Sequence, residues 1–153
     1  MGMAGCSKTA AIPAPAAVRQ AAASCDARML GVAELAGILA APLIDRKALA
    51  GDGQTCQFLT GGFPAITVSV RPNVGHATID AWNSGRMPFP VAPLPGIGDQ
   101  AVWQDTLHEV IAQKHDLLCD IEIRGGAGDI AAGVDVLPGI LGALCNKLFA
   151  AFG

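Results

Sequence analysis

The chain has no tyrosine, and its only aromatic residues are two tryptophans and five phenylalanines among 153 residues. Surfaces that bind sugars or nucleobases by stacking need aromatic rings, so this composition disfavours both kinds of site. Lysine and arginine number ten against thirteen acidic residues, and they form no cluster that could follow a phosphate backbone. The composition therefore argues against a nucleic-acid partner.

Long apolar runs are missing too, although 52% of the residues are hydrophobic and the mean hydropathy is +0.44. Glu34 and Pro42 interrupt the first apolar stretch, and Asp135 and Pro138 interrupt the last. A helix that crosses a bilayer needs roughly 20 predominantly apolar residues, so neither stretch is predicted to span a membrane. The length suits one hydrophobic core and therefore one domain.

Five cysteines are present, one near the N-terminus and four in the rest of the chain. Cys6 follows Met-Ala-Gly, which resembles the lipobox whose cysteine is acylated, with palmitate among the acyl chains, in bacterial lipoproteins. A signal peptide also needs a charged and an apolar region, which would have to lie upstream of Met1. The alternative is that Met1 is the true start and Cys6 is an ordinary thiol.

Residues 1–24 are interpreted as a lipobox remnant followed by a tether rich in alanine and proline, a composition typical of flexible linkers. Ser7, rather than aspartate, follows Cys6, which favours the periplasmic side of the outer membrane in a Gram-negative host. Residues 25–153 then form a single domain. The predicted location is extracytoplasmic, and the lipid on Cys6 is predicted to anchor the chain to the membrane.

The four remaining cysteines allow three disulfide pairings. Residues 117–124 alternate strictly between apolar and polar side chains, which predicts a half-buried strand with Cys119 facing inward. Pro138 can begin a helix whose apolar stripe includes Cys145. If that strand and helix pack across one core, Cys119 pairs with Cys145, and Cys25 pairs with Cys56 by elimination.

Two other uses of the cysteines were considered. No two cysteines have the short spacing of a zinc site, and the three histidines show no matching pattern, so no metal is predicted. The second alternative is a cytosolic domain whose cysteines are all reduced and buried.

The remaining periodicity predicts an α+β fold in which an antiparallel sheet of about five strands has its helices packed on one face, with two disulfides. Three helices are predicted: one along an apolar stripe that ends before Pro42, one over residues 76–83, and one that begins at Pro138. The predicted strands are residues 54–60, 65–71, 100–104, 107–114 and 117–124, and residues 85–98 form a proline-rich loop.

Motifs that carry chemistry are weak in this sequence. Residues 96–101 and 126–131 match the letters of a dinucleotide fingerprint, but the first runs into a strand and the second lacks a following strand and an acidic partner. No cofactor is therefore predicted. His76 and Asp80 lie four residues apart and are best interpreted as neighbours on an exposed helix face.

A small periplasmic hydrolase is the enzymatic alternative. His108 or His115, with Asp116, could serve a nucleophile, but no G-x-S-x-G motif is present, and a solvated hairpin turn explains His115 and Asp116 better. No catalytic residue is assigned. If the domain binds a partner, the predicted binding surface comprises Trp103, Asp120, Glu122 and Arg124, close to the proline-rich loop.

Several segments together resemble the DUF3558-type family of small bacterial lipoproteins. They are Cys25-Asp26 ahead of a short helix, the motif QTCQF around Cys56, the strand ITVSV, the loop LPGIGDQAVW and a final strand and helix. The resemblance covers nearly all of residues 25–150, although Cys119 and Cys145 lie outside the family pattern. It implies an antiparallel α+β fold and an envelope location, and it offers no catalytic residue.

The sequence thus predicts a non-enzymatic envelope lipoprotein whose disulfide-braced domain binds another envelope protein or a ligand. An inhibitor or immunity protein against a secreted effector has the same requirements, since blocking a target needs a stable surface and no chemistry.

Overall fold

A computed structural model of the chain describes residues 24–49, 51–61, 63–72, 77–84, 90–124 and 133–153. The predictions for Cys6, for most of the tether, for His76 and for the second fingerprint at 126–131 concern residues outside these ranges.

The described residues form three α-helices, one 3₁₀ turn and seven strands. In chain order these are α1 (Val32–Leu39), β1 (Asp45–Ala48), β2 (Thr55–Thr60), β3 (Phe63–Pro72), α2 (Ala77–Asn83), β4 (Val91–Pro93), β5 (Gln100–Gln104), β6 (Glu109–Lys114), β7 (Leu117–Ile123), the 3₁₀ turn Val134–Val136 and α3 (Leu137–Phe152).

The strands form one antiparallel sheet in the order β1-β2-β3-β7-β6-β5-β4. The prediction of an antiparallel sheet is confirmed, but the predicted count of about five strands is too low. The two missed strands, β1 and β4, are short edge strands. β1 has the sequence DRKA, without apolar alternation, and β4 ends at Pro93, which an edge strand tolerates because one side of its backbone needs no partner.

The main core lies between one face of the sheet and the helices α1 and α3. Leu35 and Leu39 of α1 and Leu141 and Leu148 of α3 are almost fully buried and belong to the same cluster as Val110. The spacing of these leucines places them on one side of each helix, which is why both helices can cover the same face. Burying a leucine stabilises the fold by about 1.5–3 kcal/mol.

The second face of the sheet carries a smaller cluster. Ile79 and Trp82 of α2 pack there with Val102, Ile111 and Leu118. These strand residues alternate with residues of the main core, so α2 lies on the opposite side of the sheet from α1 and α3. The prediction that the helices pack on one face is therefore wrong for α2, whose seven residues offer too short a pattern to reveal the face that they cover.

The structure pairs Cys25 with Cys56 and Cys119 with Cys145, with Cα–Cα distances of 6.0 and 5.7 Å. This is the connectivity that the sequence predicts. Cys119 lies on β7 and Cys145 on α3, and both are fully buried. Among the residues described here, no helix has the length and apolar character needed to cross a bilayer.

Candidate functional site

The loop between β4 and β5 is held against two other elements by hydrogen bonds. Asn146 of α3 accepts the Gly98 N–H through Oδ1 at 2.8 Å and donates from Nδ2 to the Gly96 carbonyl at 3.1 Å. Asp99 donates its N–H to the Gln113 carbonyl at 2.7 Å. The turn at residues 96–99 therefore ties α3 to β6.

Close packing explains the glycines around this turn. Gly98 has φ +55°, and a Cβ there would lie 2.4 Å from the Gln113 carbonyl oxygen. Gly142 of α3 faces Ile97, whose Cδ1 atom would lie 2.8 Å from a Cβ at that position. The segment PGIGD at residues 95–99 thus has a structural role, because it brings α3 and the sheet into contact.

β6 and β7 are joined by a two-residue turn at His115 and Asp116, as the sequence predicts. The His115 N–H donates to Asp99 Oδ2 at 2.8 Å, and His115 has φ +51°. The 96–99 turn therefore holds the tip of this hairpin as well as its β6 strand.

Beside the hairpin tip lies a cavity of about 470 Å³. One wall is formed by residues 114–117 of the hairpin, and the other by Phe149, Ala150, Phe152 and Gly153 at the end of α3. Lys114, His115 and Asp116 are exposed, whereas Leu117 and Phe152 are half-buried and Phe149 is buried. The cavity thus combines apolar walls with a charged rim.

Phe152 also contacts Arg28, which is not one of the cavity-lining residues. The guanidinium of Arg28 lies 4.3 Å from the centre of the Phe152 ring, and Arg28 pairs with Asp26 at 2.7 Å. The hydrogen bonds from Arg28 lower the pKa of Asp26 to about 2. These contacts place a cation against the Phe152 ring, an arrangement that is attractive for an aromatic face.

A second polar group of residues lies on the sheet face that α2 partly covers. Glu109 on β6 pairs with Glu122 on β7. Ile111, two residues further along β6, pairs with Asp120, so all four side chains lie on this face. Burial, followed by the hydrogen bond with Asp120 and the charge of Asp120, raises the pKa of Glu109 to about 9. Burial also raises the pKa of Asp120, opposed by the hydrogen bond from Glu109. At neutral pH the raised pKa keeps Glu109 protonated, so Glu109 can donate the hydrogen bond that it shares with Asp120.

Two buried polar atoms near this pair have no hydrogen-bond partner among the described residues. Gln104, opposite Glu109 on β5, is completely buried, and its Oε1 accepts the Leu107 N–H at 2.7 Å while its Nε2 is unpaired. Thr67 Oγ1, opposite Glu122 on β3, is also unpaired. A buried polar group without a partner costs free energy, and this row of strand residues contains both of these atoms.

The structure separates the residues of the predicted binding surface. The exposed Arg124 and the half-buried Glu122 form an ion pair at 3.6 Å, and Asp120 lies on the same face as Glu122. Trp103 is only 6% exposed and belongs to the main core, with its Nε1 donating to Asp105 Oδ1 at 3.3 Å. Trp103 is therefore not part of that surface, because strand alternation directs its side chain to the face covered by α1 and α3.

The histidines also lie apart. His108 is in the turn between β5 and β6, with its ring centre 6.2 Å from that of Trp103, whereas His115 lines the cavity. None of the cavity-lining residues in the described segments is a serine or cysteine. Within those same segments, no group of three histidine, cysteine or acidic side chains is arranged to hold a metal ion. Asp80 of α2 is exposed.

Sequence reasoning missed three features of these sites. Glu109 is the first residue of β6, and the sequence of that strand does not show that its carboxyl group is buried. Asn146 lies in a largely apolar helix, and nothing in the sequence shows that its amide joins that helix to the 96–99 turn. The cavity has no local signal, because its two walls are more than 30 residues apart in the chain.

No protein family matches the chain, and neither the curated proteins nor the solved structures include a match. The resemblance to DUF3558-type lipoproteins therefore stays a prediction. The geometry of the chain itself is the basis for the function proposed below.

Proposed function

We propose that this chain is a non-enzymatic lipoprotein of the bacterial cell envelope, anchored through Cys6, whose domain binds a ligand or another envelope protein. The observation that carries the proposal is the pair of disulfides, Cys25–Cys56 and Cys119–Cys145. Disulfides persist in oxidising compartments and are rare in the cytosol of most organisms, so both pairs fit an extracytoplasmic location.

The placement of the second disulfide supports a binding role. It links β7 to α3, and the ends of these two elements form the walls of the cavity beside His115. The 96–99 turn joins the same two parts of the molecule through Asn146 and Asp99. Restraining both walls before a ligand arrives lowers the entropy that binding costs.

The lipobox-like segment around Cys6 and the tether that follows it support the anchor, and Ser7 favours the outer membrane of a Gram-negative host. The partly exposed Glu122–Arg124 pair belongs to the contact area that we propose for an envelope protein partner. An inhibitor or immunity role is one form of this function, since it requires a stable surface and no reaction.

The hydrolase alternative would place a nucleophile beside His115. Because no serine or cysteine occurs among the cavity-lining residues in the described segments, binding is the better-supported use of this cavity. The alternative of a cytosolic domain with reduced cysteines is disfavoured by the two disulfides.

The proposal is tested by mass spectrometry of the protein expressed from its native gene. We expect an acylated Cys6, and we expect four further thiols to react with an alkylating reagent only after reduction. A Cys6→Ser variant should leave the membrane fraction while keeping both disulfides, and Ser7→Ala is the matched control that should stay membrane-bound. Five free thiols and no acylation would refute the proposal.

A further inference from the structure

The cavity beside the hairpin tip is formed by parts of the molecule that are fixed in several independent ways. Cys119, two residues after Leu117, is bonded to Cys145, four residues before Phe149. Asp99 accepts the His115 N–H, so the hairpin tip is held as well. A cavity of about 470 Å³ lies within the size range of small-molecule sites.

The rim of this cavity carries one basic and one acidic side chain. Lys114 and Asp116 flank His115, and both side chains are exposed. Within the described part of the chain, neither of these two side chains takes part in an ion pair. The walls below the rim are apolar and are formed by Leu117, Phe149 and Phe152.

We propose that this cavity binds a small zwitterion with an apolar side chain, such as a hydrophobic α-amino acid. Its carboxylate faces Lys114, its ammonium group faces Asp116, and its side chain packs on Leu117 and Phe152. A purely anionic ligand would be attracted by Lys114 but repelled by Asp116. A purely cationic ligand would be attracted by Asp116 but repelled by Lys114. A zwitterion is attracted by both rim residues. This inference rests on the proposed binding function and gives it a ligand class.

The test is a titration of the isotope-labelled full chain, followed through backbone amide chemical shifts. The probe is L-phenylalanine, compared with 3-phenylpropionate and 2-phenylethylamine, each of which lacks one of its charges, and with glycine, which lacks the ring. We expect L-phenylalanine to shift the amides of residues 114–117 and 149–153 and to bind about fivefold more tightly than either singly charged probe, the effect of one exposed ion pair.

Two variants assign the charges. Lys114→Met should weaken L-phenylalanine binding about fivefold without weakening 2-phenylethylamine binding. Asp116→Asn should weaken L-phenylalanine binding to a similar degree without weakening 3-phenylpropionate binding. Lys47→Met and Asp45→Asn remove the same charges from β1 at the edge of the sheet and should change nothing.

The inference is overturned if L-phenylalanine shifts no amide at millimolar concentration, if the shifts lie outside the cavity, or if all three aromatic probes bind equally. Acylation and thiol counts are measured on the same protein. If the chain is acylated and disulfide-bonded but does not bind L-phenylalanine, only this ligand class is refuted. If the chain is unacylated and fully reduced, the proposed envelope function is refuted.

Discussion

Gly98 and Gly61 have nearly the same backbone conformation in very different surroundings. Their φ angles are +55° and +56°, in the left-handed region that L side chains rarely adopt. A Cβ at Gly61 would meet no atom within 4 Å, whereas a Cβ at Gly98 would lie 2.4 Å from the Gln113 carbonyl oxygen. The two positions therefore separate backbone strain from steric overlap.

We predict that Gly98→Ala lowers the free energy of unfolding much more than Gly61→Ala. The Gly61 variant should lose about 1–2 kcal/mol from the left-handed conformation alone. The Gly98 variant should lose roughly 2–5 kcal/mol, because relieving the overlap must move the 96–99 turn away from β6. Urea denaturation measures both values, and equal losses would show that Gln113 does not constrain this turn.

Glu109 makes the stability of the fold depend on pH. Its pKa rises from an ordinary 4.5 to about 9 on folding, mainly because the side chain is buried, so the folded chain keeps a proton that the unfolded chain loses. Where the folded state binds more protons than the unfolded state, stability falls as pH rises. The raised pKa of Asp120 acts in the same direction.

We predict that the free energy of unfolding falls between about pH 4.5 and pH 9 and that Glu109→Gln flattens this slope. The glutamine amide can still donate to Asp120, and it has no proton to lose in this range. Asp45→Asn, on the exposed edge strand, is the control and should retain the slope. Denaturation at a series of pH values tests this, and an unchanged slope in Glu109→Gln would contradict it.

Some helices and strands of this fold are easier to predict from their sequences than others. β7 was predicted at 117–124 and is observed at Leu117–Ile123, because one face is buried and its apolar residues alternate. α3 was predicted from Pro138 and is observed at Leu137–Phe152, where proline lies in the first turn. β1 and β4 were missed because edge strands need no buried face of their own.

The link between β7 and α3 gives a prediction about the cysteines. Cys145→Ala should lower the free energy of unfolding by about 3–4 kcal/mol in the chain-entropy model and release one reactive thiol, at Cys119. Alkylation followed by peptide mapping identifies the released thiol, and chemical denaturation measures the loss.

The matched variant is Cys25→Ala, which should release Cys56 and leave the Cys119–Cys145 bond intact. If Cys145→Ala instead releases Cys25 or Cys56, the connectivity described here is wrong.

At the scale of the molecule, the described residues form a sheet with helices on both faces, although the sequence predicts helices on one face only. Asp120 and Glu122 alternate with apolar residues along β7, which is the pattern of a strand with one solvated face. Ile79 and Trp82 nevertheless bring α2 against part of that face. A short helix with two buried residues does not reveal which side of a sheet it will cover, because either side satisfies its pattern.

By itself the sequence determined the regular elements with strong periodicity and the antiparallel arrangement, and it indicated a preferred pairing among the three that four cysteines allow. These follow from local spacing and from the few ways in which inward-facing residues can meet. The tertiary structure alone decided that Trp103 is buried, that Glu109 keeps its proton and that a cavity separates the hairpin tip from α3. Each of these depends on which distant elements pack together, and local sequence patterns do not record distances between segments far apart in the chain.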